Sequence, residues 1–323
     1  MGSAPDISVV VPSHDRPLRL RWLLNALEEQ TLARERFEVV VGHDSADGET
    51  EALLESHPLA RAGALRHVRL PAGTAPPGAN RNAALALARA PLVAFTDDDC
   101  RPAADWLERA AAAAARAPGA IVQGRTRRDP QEWVYVRAPF HVTQDVEPPT
   151  AWGEACNVVY PLALVESLGG FDPGMETGED ADLFHRARAA GAAVVAAPDV
   201  LVFHAVHTPS LRQRVRGAAR WRFMPELVRR HPSLRASLPL RVFWKPRHAT
   251  LALALLGLSL RRHLGLVALA LAVPWALQAR PRYGRTPRGL LRAATELPAQ
   301  AAIDLAELTA LSRGSIEHRS LLL

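Results

Sequence analysis

The sequence has few cysteines, and their spacing fits neither a metal site nor a disulfide framework. Its 323 residues include two, Cys100 and Cys156, which lie far apart and outside any CxxC pair. Zinc sites built on cysteine pairs and small folds held by disulfides are therefore excluded. The first residues also lack the basic and apolar regions of a secretory signal. We therefore expect a reducing compartment inside the cell.

Two nucleotide-binding signatures are missing as well. No GxGxxG follows the first apolar run, residues 7–12, so a dinucleotide cofactor is not indicated. No glycine-rich, lysine-bearing phosphate loop follows it either, which counts against a nucleotidyltransferase of similar topology. The chain also lacks an uninterrupted apolar run of the ~20 residues that a membrane-spanning helix needs.

The charges are unevenly divided along a chain whose composition is otherwise typical of a globular protein. Residues 1–207 hold 19 Lys and Arg against 28 Asp and Glu, a balance of −9, whereas residues 208–323 hold 20 against 5, a balance of +15. We predict a folded domain over 1–207 and a basic, apolar helical region over 208–323. Such a basic region indicates an anionic partner, either a membrane surface or a nucleic acid.

The most informative stretch is Pro91–Cys100, in which a short apolar run stops at three adjacent carboxylates, Asp97, Asp98 and Asp99. The run predicts a buried strand, and open α/β sheets bind ligands at the carboxyl ends of their strands. Adjacent carboxylates repel one another unless a cation lies among them, and Mg²⁺ or Mn²⁺ can bridge carboxylate and phosphate oxygens. The stretch predicts a metal–diphosphate site. The alternatives are a solvated acidic loop, or a cap made by Asp99 for a helix through Trp106.

Strands and helices alternate over the first hundred residues. Apolar runs predict strands at 7–12, 37–41, 65–70 and 92–96, and helical spacing predicts helices at 19–30, 51–59, 79–90 and 106–116. This alternation is typical of an α/β protein with a Rossmann-like, mainly parallel sheet flanked by helices. Residues 124–150 fit no element, and long irregular segments of this kind often form lids or binding loops.

Six stretches then match a known pattern in its order. They are Val9–Asp15, Val39–Asp44, Gly78–Asn82, Phe95–Asp99, Gly169–Asp172 and Gly178–Asp180. On these residues the chain resembles the family 2 glycosyltransferases of the GT-A fold, over about residues 6–207. The resemblance implies metal-dependent, inverting transfer of a hexosyl or related sugar from a nucleoside-diphosphate donor, with UDP as the expected nucleotide, to an acceptor hydroxyl.

The resemblance also implies roles for individual residues. The turns after the first two strands and the DxD motif would bind the donor, through Pro12, His14, Asp15, Asp44, Arg81, Asp97 and Asp98. Asp99 and His204 would hold the divalent metal, and Asp180 would be the general base, with Glu179 beside it. Because the attacking hydroxyl becomes strongly acidic only as the new bond forms, Asp180 suits this role without a large pKa shift.

Two positions depart from the family pattern, and two residues have structural alternatives. The family usually has two aspartates before Gly-Ser after the second strand, whereas this chain has Gly42–Ser45, so either His43 or Asp44 could read the base. Asp15 replaces the usual asparagine. From the residues alone, Asp180 could instead cap a helix, and His204 could be an ordinary histidine at a strand end.

The basic region contains two apolar runs, 250–260 and 264–277, separated by Arg261–His263. One continuous span would place two arginines near the middle of a bilayer, so it is disfavoured. We expect two short helices that form a shallow hairpin or lie flat at the cytoplasmic face of the cell membrane, near a glycan, lipid-linked or small-molecule acceptor. The alternatives are a buried helical pair in a soluble cytoplasmic dimer, and a non-catalytic nucleic-acid-binding protein. We expect no nucleic acid, because apolar runs dilute the basic residues.

Overall fold

The computed structural model describes residues 4–73, 75–281 and 283–323. The chain forms two compact units, and residues 1–3 of the first lie outside the described part. The N-terminal unit comprises Met1–Trp133 and Thr143–Val206, and the C-terminal unit comprises Val134–Val142 and His207–Leu323.

One eight-stranded sheet runs through the N-terminal unit. Its strands are β1 (Ile7–Ser13), β2 (Phe37–His43), β3 (Leu65–Arg69), β4 (Leu92–Phe95), β5 (Cys100–Pro102), β6 (Ile121–Arg128), β7 (Val158–Pro161) and β8 (Val194–His204). Their spatial order is β3-β2-β1-β4-β7-β6-β8-β5. The strands β3, β2, β1 and β4 are parallel, β7 is antiparallel to both of its neighbours, β6 and β8 are parallel, and β5 is antiparallel to β8.

Helices cover both faces of this sheet. They are α1 (Pro17–Glu28), α2 (Gly48–Ser56), α3 (Pro58–Arg61), α4 (Pro77–Leu85), α5 (Trp106–Arg116), α6 (Leu162–Ser167) and α7 (Glu179–Ala189), with single 3₁₀ turns at Arg34–Arg36 and Pro130–Glu132. Side chains alternate across a strand, so Val9 packs into one core with Leu24 of α1, and Val10 into a second core with Phe184 of α7. Burial on both faces explains the continuous β-branched runs of the central strands.

The predicted strands in the parallel half are confirmed, each within two residues, and α5 has the predicted bounds. The apolar runs at 193–197 and 200–203 predict two short strands, but the structure joins them in one strand, β8. Two short strands, β5 and β7, were missed, because three or four residues carry too little pattern and pair only with distant partners. Part of the unassigned segment 124–150 is also regular, since β6 continues to Arg128.

The C-terminal unit is helical. Its helices are α8 (Leu211–Gly217), α9 (Met224–Arg230), α10 (Pro246–Leu264), α11 (Val273–Ala279) and α12 (Pro287–Glu317), with 3₁₀ segments at Tyr135–Arg137, Ala218–Phe223, Pro232–Ser237, Pro239–Arg241 and Gly265–Ala272. Two buried carboxylates of α12 organise its interior. Asp304 accepts from the indole of Trp275 at 3.0 Å and pairs with Arg247 at 2.9 Å. Glu307 accepts from Lys245 at 2.6 Å, so both carboxylates have the partners that burial requires.

Residues 246–279 form a helical hairpin, called the apolar hairpin below. By length and composition this stretch could cross a membrane, but the backbone reverses at Gly265, which has φ of +62°. A side chain at Gly257 would collide with the carbonyl oxygen of Ala268, so the two arms touch there. The prediction of two apolar segments is confirmed, but the break expected at Arg261–His263 was wrong, because those residues form the last turn of α10.

Candidate active site

The turns after β1, β2 and β4 meet at one edge of the sheet. These strands are parallel and in register, with Ser13 opposite His43 and Val10 opposite Phe95, so the residues that follow them emerge together. The first turn is bound to the second, because the amide of Asp15 donates to Ser45 Oγ at 3.0 Å. Asp15 has φ of +47°, a left-handed conformation that aspartate and asparagine tolerate better than most residues. Its replacement of the usual asparagine therefore preserves the turn.

Asp44 is buried in the second turn and accepts three hydrogen bonds. The donors are Asn80 Nδ2 at 3.0 Å, the amide of Ala75 at 3.1 Å and His14 Nδ1 at 3.0 Å. Burial opposes the charge of Asp44, but these hydrogen bonds outweigh burial and lower its pKa. The half-exposed ring of His14 lies against the carboxylate. Pro12, by contrast, is buried within β1, opposite Gly42.

His43, the other candidate for reading the base, is fully buried at the end of β2. Its Nε2 lies 3.3 Å from Glu51 of α2, and burial lowers its pKa. Asp44, at the turn itself and beside the exposed His14, is the better placed of the two residues to meet a ligand.

The carboxylates after β4 share a cation that the sequence reasoning missed. Arg16 Nη1 lies 3.2 Å from Asp98 Oδ1 and 2.8 Å from Asp99 Oδ2, and Ser13 Oγ also donates to Asp98 at 2.9 Å. Burial and the neighbouring Asp99 nevertheless raise the pKa of Asp98 to about 7. In the sequence, the only indication of this role was the position of Arg16 itself, a basic residue that follows Asp15 in the first turn. Asp99 caps no helix, because β5 follows it and Asp105 is the N-cap of α5.

Arg81 joins this cluster to the start of α7. Its guanidinium donates to Asp97 at 2.7 Å and to Glu179 at 2.6 Å, and the side chain is almost fully buried. Burial alone would lower the pKa of Arg81, but Asp97 and Glu179 raise it. Arg81 and Glu179 are 98 positions apart in sequence, and the fold brings them into one buried ion pair.

Asp180 lies one residue further along α7. Its carboxylate accepts from the amide of Ala155 at 3.3 Å and from that of Ala181 at 2.9 Å. Burial, followed by the charge of Glu179, raises the pKa of Asp180 to about 7. The capping alternative is wrong, because the N-cap is Gly178, with φ of +84°.

Asp99 and His204 are brought together at the other side of the cluster. Antiparallel pairing of β5 with β8 places Cys100 opposite His204, and His204 Nε2 lies 3.5 Å from Asp99 Oδ1. His204 Nδ1 donates to the carbonyl of Ala205 at 2.8 Å, which orients the ring so that Nε2 faces Asp99. The thiol of Cys100 is close enough to join a metal site, but burial raises its pKa and disfavours the thiolate that binds metals.

The donor set therefore fits a divalent cation. Carboxylate oxygen is the ligand that Mg²⁺ and Mn²⁺ prefer, and a neutral imidazole with its second nitrogen hydrogen-bonded is a common metal ligand. Two other groups with ligand-like spacing occur in the described residues, His43–Glu51–His67 and His248–Asp304–Glu307. In both groups each carboxylate already has a cationic side chain nearby. Arg69 lies near Glu51 in the first group, and Arg247 and Lys245 pair with Asp304 and Glu307 in the second.

Comparison with known proteins finds a family likeness over nearly half of the chain. Residues 8–160 match the model of glycosyl transferase family 2. Two validoxylamine A glucosyltransferases, from Streptomyces hygroscopicus subsp. jinggangensis (strain 5008) and subsp. limoneus, are each 27% identical over 275 residues, which cover 74% of this chain and 63% and 59% of theirs. The chain thus spans about three fifths of the length of these curated relatives.

Solved structures share the fold. The mannosyltransferase PcManGT from Pyrobaculum calidifontis, in complex with GDP-Man and Mn²⁺, aligns with a TM-score of 0.59 at 23% identity, over 98% of this chain and 88% of its own. TarS 1-349 from S. aureus in complex with UDP aligns with a TM-score of 0.52 at 18% identity, over 98% and 92%. These likenesses confirm the predicted α/β, GT-A fold. Residues 8–160, which include Asp97–Asp99 of the carboxylate cluster, are similar to glycosyl transferase family 2.

Proposed function

We propose that this protein is a metal-dependent, inverting glycosyltransferase that moves a sugar from a nucleoside-diphosphate donor to an acceptor hydroxyl. The observation that carries the proposal is an excess of negative charge at one edge of the sheet. Five carboxylates, those of residues 97–99, Glu179 and Asp180, share two arginines, Arg16 and Arg81. Such a cluster is costly unless a cation occupies it, and it provides both a metal site and a separate base.

The donor's nucleoside would lie at the turns after β1 and β2. Asp44 keeps a negative charge there and could accept a hydrogen bond from an N–H of the nucleobase. His14 would have to move aside to expose the carboxylate of Asp44. PcManGT is solved with GDP-Man, and TarS with UDP and UDP-GlcNAc, which supports a nucleotide-sugar donor. We propose a UDP-sugar.

Asp99 and His204 would hold Mg²⁺ or Mn²⁺, and the Mn²⁺ in the PcManGT structure supports this assignment. A bound cation would stabilise the negative charge that gathers on the leaving diphosphate. Arg16 now occupies one side of Asp99, so it would release that carboxylate when the metal arrives. Once released, its half-exposed guanidinium could pair with a phosphate.

Asp180 is the proposed general base. It would take the proton of the acceptor hydroxyl while that oxygen bonds to the anomeric carbon and the bond to the diphosphate breaks, a single displacement that inverts the configuration. Two backbone amides orient its carboxylate, and a pKa of about 7 makes it a stronger base than an ordinary aspartate. Glu179 acts as a positioning residue: Arg81 holds it in place, and its charge helps to raise the pKa of Asp180.

The acceptor would be a glycan, a lipid-linked sugar or a small hydroxyl compound. We propose that transfer takes place at the cytoplasmic face of a membrane, since the C-terminal unit carries a stretch long and apolar enough to enter one. This placement would suit a lipid-linked acceptor or a glycan growing at that surface.

Calorimetric binding and donor hydrolysis, with Mn²⁺ and a panel of nucleotide sugars, test the proposal. We expect one donor to bind in the presence of metal and to bind more weakly after chelation. Asp180→Asn should keep donor binding and lose transfer. Asp182→Asn, in the same helical turn but paired with Arg186 at 2.7 Å, is the matched control and should keep transfer. A folded protein that binds no donor, or unchanged turnover in Asp180→Asn, would refute the respective assignment.

A further inference from the structure

The apolar hairpin presents its large side chains to solvent. In its most apolar window only 11% of the residues are buried. The exposed side chains occupy both arms and the turn, and they are Leu253, Leu255, Leu256, Leu258, Leu264, Leu266, Val267, Leu269, Val273 and Leu277. These ten are nearly half of the large apolar side chains exposed in the described chain. Contiguous exposed apolar surface of this kind marks a contact with a partner or a membrane.

The sequence around the hairpin carries charge of one sign, and the carboxylates packed against it from α12, Asp304 and Glu307, are buried and already paired. Residues 227–295 contain 13 arginines and lysines and no aspartate or glutamate. Arg261 and Arg262 lie exposed beside the turn. At the opposite end, Arg280 and Arg285 line a cleft of about 620 Å³ together with Leu277 and Leu290. Both ends of the hairpin thus combine arginine with leucine.

This charge pattern distinguishes between the possible binding partners of the apolar hairpin. A second copy of the chain would bring its own acid-free, arginine-rich hairpin against this one, and like charges brought together oppose association. An anionic phospholipid surface offers acyl chains to the leucines and phosphates to the arginines. The charge complementarity therefore favours a lipid bilayer.

The positions of the arginines also determine the orientation. The arm α10 has 19 residues and is about 28 Å long, with Arg261 and Arg262 at one end and the cleft arginines at the other. Insertion on end would carry one of these pairs into the hydrocarbon, where an arginine is costly. An orientation parallel to the surface keeps the arginines at both ends near the phosphates, within the reach of their flexible side chains.

We propose that the apolar hairpin lies in the boundary between headgroups and acyl chains of an anionic bilayer, with its long axis in the membrane plane. Helices bound in this way sit about 5–10 Å into that boundary. Since a helix is about 10 Å across, this depth covers most of its circumference and accounts for the leucines exposed on more than one side. The proposal does not depend on catalysis by the N-terminal unit.

Flotation of the full chain with vesicles tests the docking. We expect binding to vesicles that contain one third phosphatidylglycerol and little binding to pure phosphatidylcholine. The double variant Leu266→Asp, Val267→Asp should lose binding, and Arg261→Glu with Arg262→Glu should weaken it at least thirtyfold. Ile316→Asp is the matched control: Ile316 is 80% exposed, as Leu266 is at 82%, but it lies on α12 outside the hairpin, so this variant should bind normally.

Several outcomes would overturn the proposal. Equal binding to both vesicle types would show that charge plays no part. A stable dimer in sedimentation that Leu266→Asp dissociates, without vesicle binding by the wild type, would assign the hairpin to a second copy. Asp180→Asn should float like the wild type, so loss of catalysis and loss of docking are measured separately.

Depth measurements test the orientation. A fluorescent label on a cysteine at position 258, 266 or 277 would be quenched by lipid-borne quenchers, and the native Cys100 and Cys156 are buried. The in-plane orientation predicts similar, shallow depths at all three positions. A label at 266 that lies much deeper than one at 277 would show insertion on end and overturn the orientation.

Discussion

Replacing the proposed base should stabilise the fold at high pH. The pKa of Asp180 is raised from 3.8 to about 7, a shift of about three units that corresponds to roughly 4 kcal/mol. Since the folded state disfavours the ionised carboxylate, the wild type loses stability as pH rises from about 4 to about 7, and the loss is constant above that. Asparagine resembles the protonated acid, so Asp180→Asn should not suffer this loss.

The free energy of unfolding measures this effect. Urea titrations of wild type and Asp180→Asn, without added metal, should differ by only about 1 kcal/mol at pH 4.5. The variant should be more stable by up to 2–4 kcal/mol at pH 8, with the difference growing by about 1.4 kcal/mol per pH unit in between. Asp182→Asn is the control: it breaks a buried pair with Arg186 and should be destabilised instead.

A variant no more stable than the wild type at pH 8 would refute the reasoning, as would a difference that does not change with pH. Either result would mean that the folded protein does not penalise the charge of Asp180. The high pKa, and with it the argument that burial makes Asp180 a stronger base, would then be wrong.

Two other arginines give further predictions. Arg16→Ala should tighten Mn²⁺ binding several-fold in calorimetry, because Arg16 competes for Asp98 and Asp99 in the free protein; weaker binding in the variant would mean that Arg16 supports the metal site instead. Arg81→Met should lower the free energy of unfolding by about 3–5 kcal/mol, since it leaves Asp97 and Glu179 without their shared cation. Arg81→Lys should lose less in the same urea titration, and equal losses would show that the charge itself contributes nothing.

The sequence alone determined the alternation of strands and helices and the positions of the turns that carry the site. Buried strands such as Ile7–Ser13 and Phe37–His43 are continuous β-branched runs, and a run of neighbours is enough to reveal them. Because parallel strands end at one edge, the carboxylates after β4 could also be assigned to a ligand site. The order of the short motifs led to the family.

Only the tertiary structure decided which of these groups meet and what their charges become. His204 reaches Asp99, and Arg81 pairs with Glu179, each across about 100 residues of sequence, and no local pattern encodes such distances. The sequence argument required no pKa shift at Asp180, whereas burial beside Glu179 produces a large one. The reversal at Gly265 and the exposure of the hairpin's leucines likewise depend on which surfaces pack together. Periodicity and turns are properties of neighbouring residues, whereas burial and pairing belong to residues that only folding brings together.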